Sequence, residues 1–106
     1  MEDQENISVI MELIMYGGDA KSNAIEAIQA AKSGDFELAK MKIKEAESSL
    51  GKAHHSQTEM LTQEAKGKKN EVTLLMVHGQ DHLMTSIAFI DLAKEIIDVY
   101  KHICEK

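Results

Sequence analysis

The sequence predicts an all-α protein, an antiparallel up-down-up three-helix bundle that associates with copies of itself. Three observations lead there. The 106 residues include no proline and no tryptophan and are rich in Ala, Glu, Lys, Met and Ile, residues that favour helices over strands. Apolar positions recur at spacings of three and four in three long segments. Two short polar breaks, each with a glycine, separate those segments.

The first helix is expected over about 6–32, with Ile7, Ile10, Met11, Ile14, Ala24, Ile25, Ile28 and Ala31 on its stripe. Gly17-Gly18 interrupts it. Interior glycine costs about 1 kcal/mol against alanine, so the pair either kinks the helix or lets a neighbour come close; a continuous helix with a local distortion is expected. Ser33-Gly34-Asp35 is the first turn, with Gly34 suited to end one helix and Asp35 to cap the next. The second helix covers about 35–65, with Phe36, Ala39, Ile43, Ala46, Leu50, Ala53 and Met60 on one face and Gln57 where a core residue belongs. Gly67-Lys68-Lys69-Asn70 is the second turn, with Asn70 as the expected cap. The third helix covers about 71–104, carrying Val72, Leu75, Met76, Leu83, Ile87, Ile90, Ala93, Ile97 and Tyr100.

Helices of about 30 residues run roughly 45 Å, and short turns make neighbours antiparallel, all in one domain, 1–106. Apolar residues spread beyond one stripe, as in Ile7-Ile10-Met11-Leu13-Ile14-Met15 and Leu74-Leu75-Met76-Val77. Burial between copies of the chain removes that surface from water.

Twelve basic against eighteen acidic residues leave a net charge of −6, which argues against nucleic acid as a partner. No apolar run reaches the roughly 18 residues of a membrane span, and the acidic start does not read as a signal peptide. One cysteine, Cys104, excludes an internal disulfide. A cytoplasmic protein without membrane insertion is expected.

The most informative stretch is Val77-His78-Gly79-Gln80-Asp81-His82-Leu83-Met84-Thr85. On a helix His78 neighbours Asp81 and His82, three and four residues on. A helix that only packs has no need of Gln, Asp and two His there, and Gly79 is expected to leave room beside His78 for a bulky group or a docking partner. Local chemistry supports three readings without ranking them. The cluster can be a solvated or interface feature. It can offer imidazole and carboxylate ligands to zinc, although the glutamate base of a zinc protease is missing. Or an imidazole nitrogen can carry a phosphoryl group, with Gln80 and His82 as nearby donors.

The chain resembles the IIA component of the lactose/cellobiose (chitobiose-type) branch of the bacterial phosphoenolpyruvate-dependent sugar phosphotransferase system. The resemblance covers nearly the whole length. It is carried by Gly18-Asp19-Ala20-Lys21-Ser22, Gly34-Asp35-Phe36, Ala53-His54-His55-Ser56-Gln57-Thr58, Glu64-Ala65 and, most specifically, the stretch around His78. It implies a homotrimer in which His78 accepts phosphoryl from phospho-HPr and passes it to a cysteine of the cognate IIB protein. The pathway would take up and phosphorylate a β-linked disaccharide such as lactose, cellobiose or chitobiose. It also implies that three Asp81 carboxylates meet on the threefold axis, where a divalent cation, Mg2+, relieves their repulsion. His82 and Gln80 would orient and stabilise the phosphoryl group. The rival readings are a helical adaptor without catalysis and a zinc-binding regulatory bundle using His78 and His82.

Elsewhere, Gln57 is expected to bond the third helix near His78, and His54 and His55 to lie on the helix surface. His102 is expected to be solvated and Cys104 to be a packing residue. The seven methionines are expected mainly in the core. His78 is expected about two turns inside its helix, beyond the free N–H groups of the helix start.

Overall fold

A computed structural model of the chain describes residues 2–105, with side chains from residue 7 onward. Three helices follow one another: α1, Glu2–Lys32; α2, Phe36–Ala65; and α3, Leu74–Cys104. They form a slender up-down-up bundle, 57 Å long and about 20 Å across. The stripes expected from the sequence supply the core, where Ile10, Leu13, Ile43, Met60, Leu83 and Ile90 are buried. Much of the rest is alanine: Ala20, Ala24, Ala27, Ala46, Ala53 and Ala93. Small residues at helix contacts let the axes approach closely. Helix α1 packs against both others, whereas α2 and α3 meet less extensively.

The first turn forms as the residues dictate. Gly34 has φ 85°, a left-handed conformation that costs glycine no Cβ clash. Asp35 caps α2 by accepting from the Leu38 N–H. The second turn differs from expectation. The cap of α3 is Thr73, which accepts from the Met76 N–H, and not Asn70. Val72 therefore lies outside the helix, and its side chain is exposed.

α1 runs continuously through Gly17-Gly18, as expected, but starts at Glu2, earlier than expected. The use of Gly17 is close approach: a Cβ there would stand 3.0 Å from the His82 Cβ and carbonyl oxygen. Gly79 is likewise a packing residue and not a vacancy for a bulky group, since its missing Cβ would meet Ile10 Cγ2 at 3.2 Å and the Ile10 carbonyl at 3.3 Å. Cys104 is exposed. Among the described methionines only Met60 is buried; Met11, Met15, Met41 and Met84 face outward. Apolar surface runs most of the way round α1 and α3, so a stripe in the sequence did not distinguish the core face from an outer one.

Candidate functional site

Hydroxyl seams fix how the helices sit against one another before any reactive group is placed. Ser56 of α2 donates to Glu12 of α1 at 2.8 Å, and Ser49 donates to Asp19. On α3 the buried Ser86 donates to the Gly17 carbonyl at 2.8 Å, with the His82 carbonyl also in reach. That contact, together with the Gly17 approach, pins the His82 turn of α3 onto α1. Nothing in the sequence marks Ser86 as functional, although it lies one turn after His82, opposite the glycine pair.

His78 sits on the exposed side of this pinned turn. With Leu74 the first helical residue, it lies just past the first turn of α3, closer to the helix start than the two turns expected. His82 is half-buried. The two Nε2 atoms are 3.2 Å apart, and the rings meet edge to face with centroids 4.6 Å apart. His82 Nδ1 is buried and has no hydrogen-bond partner among the described residues. A buried N–H without a partner is costlier and rarer than a buried lone pair. The favoured tautomer of His82 therefore keeps its proton on Nε2 and donates it to the His78 Nε2 lone pair. Burial, first, then the Lys21 ammonium and His78, holds the His82 pKa below its usual 6.5, with Asp81 opposing. His82 is thus a neutral donor at physiological pH.

Gln80 does not share this face. Residues two apart on a helix point to different sides, and the Gln80 side-chain oxygen accepts from Gln57 of α2 at 3.1 Å. The Gln57 contact with α3 expected from the sequence is present, although Gln57 is half-buried rather than in the core. His54, His55 and His102 are exposed.

Asp81 is exposed and lies on the outward face of α3. The same face carries Leu74, Val77, Met84, Leu92 and Val99, all large, apolar and exposed. Spacings of three, seven and eight keep them on one side of the helix, and Asp81, four after Val77 and three before Met84, sets a carboxylate inside the stripe. Among the described residues no three His, Cys, Asp or Glu side chains come together within one chain. No helix among them is long and apolar enough to cross a membrane.

Fold and site together define a three-helix protein that presents an exposed histidine, backed by a second imidazole, beside an unpartnered apolar face. The chain belongs to the family described as the PTS system lactose/cellobiose-specific IIA subunit, which it matches over residues 8–101. It is 50% identical over 104 residues to the lichenan-specific phosphotransferase enzyme IIA component of Bacillus subtilis, covering 98% of this chain and 94% of that one. The crystal structure of the PTS cellobiose-specific enzyme IIA from Bacillus anthracis superposes with a TM-score of 0.92 at 41% identity, covering 93% and 91% of the two chains. The IIA(chitobiose)–HPr complex of the Escherichia coli N,N'-diacetylchitobiose branch contains a chain with a TM-score of 0.79 at 38% identity, covering 91% and 93%. The protein is accordingly a IIA component of the sugar phosphotransferase system, a phosphotransferase of the lactose/cellobiose type.

Proposed function

We propose that this chain carries a phosphoryl group on His78, taking it from phospho-HPr and giving it to a cysteine of a cognate IIB protein. The observation that carries the reading is an exposed imidazole held in register by a second, neutral one. The His78 Nε2 lone pair forms a bond to phosphorus while the bond from phosphorus to the donor breaks, its electron pair staying on HPr. The His82 N–H, aimed at Nε2 beforehand, is then placed to donate to a phosphoryl oxygen. In the second transfer a IIB thiolate attacks phosphorus and the pair returns to His78. Gln80, engaged with Gln57, would act by bracing α3 against α2. HPr as a partner is supported by the complex formed by the chitobiose relative. The sugar at the end of the relay is a β-linked disaccharide of the lactose, cellobiose or chitobiose type, and the setting is the cytoplasm. Incubation with phosphoenolpyruvate, enzyme I and HPr is expected to add one phosphate per chain; a chain that takes none overturns the reading.

The outward stripe of α3 supports a homotrimer in which the three α3 helices meet. Asp81 stands within that stripe, so assembly brings its copies together. An oxygen-only donor set of this kind suits a hard divalent cation, Mg2+, which would offset the repulsion of the gathered carboxylates. The Asp81 side chains would hold it, since no three potential ligands come together among the described residues of one chain. Asp81→Leu is then expected to tighten the assembly at least tenfold and to abolish its dependence on divalent ions, because burial of like charges is replaced by burial of apolar area. Sedimentation with and without EDTA reads this; an assembly of Asp81→Leu that stays ion-dependent contradicts it.

Zinc held by both imidazoles is favoured by one observation, the 3.2 Å separation of the Nε2 atoms. Against it, no third ligand joins the pair among the described residues. Zinc so bound would block phosphoryl uptake, which separates the two readings.

A further inference from the structure

We propose that Lys21 supplies the positive charge that holds the phosphoryl group on His78; this rests on the reading of His78 as acceptor. Lys21 belongs to the Gly18-Asp19-Ala20-Lys21-Ser22 stretch, for which packing alone gives no role to a lysine. Side chains on a helix lean toward its N-terminus and cover the turn before their own Cα. The turn that Lys21 covers contains Gly17 and Gly18, four and three residues earlier. Gly17 backs directly onto His82, and around Gly18 nothing lies within 4 Å of where a Cβ would be. The turn that Lys21 covers therefore carries no side chain at two positions, which leaves its four-carbon stem room toward the imidazole pair. An alanine-sized or larger residue at both positions would stand in that path.

The electrostatics agree with the placement. Lys21 is half-buried, and its ammonium is near enough to His82 to disfavour a proton there. Among the described residues no carboxylate lies within ion-pair distance of it. Asp19, two residues away, spends its carboxylate on Ser49 and Asn23. Arrival of a phosphoryl group, which carries close to two negative charges, would give this half-buried ammonium a charge-assisted contact. His82 would donate from α3 and Lys21 from α1, so the phosphoryl oxygens would be met from two helices.

The test compares Lys21→Met, which keeps the stem and removes the charge, with Lys21→Arg. With each protein, phosphoryl is equilibrated against HPr and the two phospho-forms are counted by phosphorus NMR. Lys21→Met is expected to shift the ratio toward phospho-HPr by about fivefold, the scale of one partly solvated charged contact, and Lys21→Arg to restore it. An unchanged ratio in folded Lys21→Met overturns the proposal. If Lys21→Met fails to fold, the wild-type chain still decides. Its Lys21 side-chain nitrogen resonance is expected to move on phosphorylation; a resonance indifferent to phosphorylation overturns the proposal. Absence of phosphoryl from His78 in every variant is a different failure, which removes the underlying reading and this proposal with it.

Discussion

His78→Ala is expected to abolish phosphoryl uptake and to leave the fold intact. The side chain is exposed, and its one hydrogen-bond partner among the described residues is His82, Nε2 to Nε2 at 3.2 Å. Truncation there removes little buried area, so unfolding should change by no more than about 0.5 kcal/mol. Function has no such tolerance, because the imidazole nitrogen forms the covalent bond. His82→Ala is expected to behave differently: it keeps the nucleophile, so the chain still accepts phosphoryl, more slowly and into a less stable adduct. A radiolabel from phosphoenolpyruvate, carried through enzyme I and HPr, follows both variants. Uptake by His78→Ala equal to that of the wild type would move the acceptor elsewhere.

Gly17→Ala and Gly18→Ala are expected to change stability in opposite directions, although the residues are adjacent. Each gains up to about 1 kcal/mol of helix propensity over glycine. At Gly17 the added methyl would stand 3.0 Å from the His82 carbonyl oxygen and 3.1 Å from its carbonyl carbon. Those atoms belong to a helix backbone that the Ser86 bond to Gly17 holds in place, so the helices must separate. Overpacking of this kind costs about 1–3 kcal/mol, which outweighs the propensity gain at its upper end by about 2 kcal/mol. At Gly18 the methyl meets nothing, and the gain stands alone. Thermal unfolding at matched protein concentration should show Gly17→Ala lowered and Gly18→Ala raised. Since the Gly17 contact also orients His82, Gly17→Ala should slow phosphoryl uptake as well. Equal stabilities for the two variants would mean that α1 does not press on the His82 turn.

The helices, the first turn and the His78–His82 neighbourhood were legible in the sequence because each follows from spacing alone. A stripe at three and four, a glycine before an aspartate, and imidazoles one turn apart need no tertiary information. What was not legible depended on which face meets which. Asn70 and Thr73 are both good caps, and only the place where α3 docks on the bundle selects Thr73. Gly79 beside His78 suggested space, yet it faces Ile10 and Leu13 of a helix more than sixty residues earlier. Met11, Met15 and Met84 read as core because their helices are apolar on more than one side; the structure turns those sides outward. Ser86 escaped notice, and Lys21 stood only as part of a resembling stretch, because their meaning comes from the crossing of α1 over α3. A clue was present nonetheless: two glycines, with a lysine one turn on, in a helix that otherwise favours alanine.

The account depends most on the His78 nitrogen being the atom that takes phosphorus. The direct measurement is phosphorus–nitrogen coupling in the wild-type chain, labelled with nitrogen-15 in histidine and phosphorylated through HPr. Coupling to the Nε2 resonance assigned to His78 is the expected result. Phosphorus coupled to another histidine, or a phosphoryl group held on no imidazole at all, would contradict it.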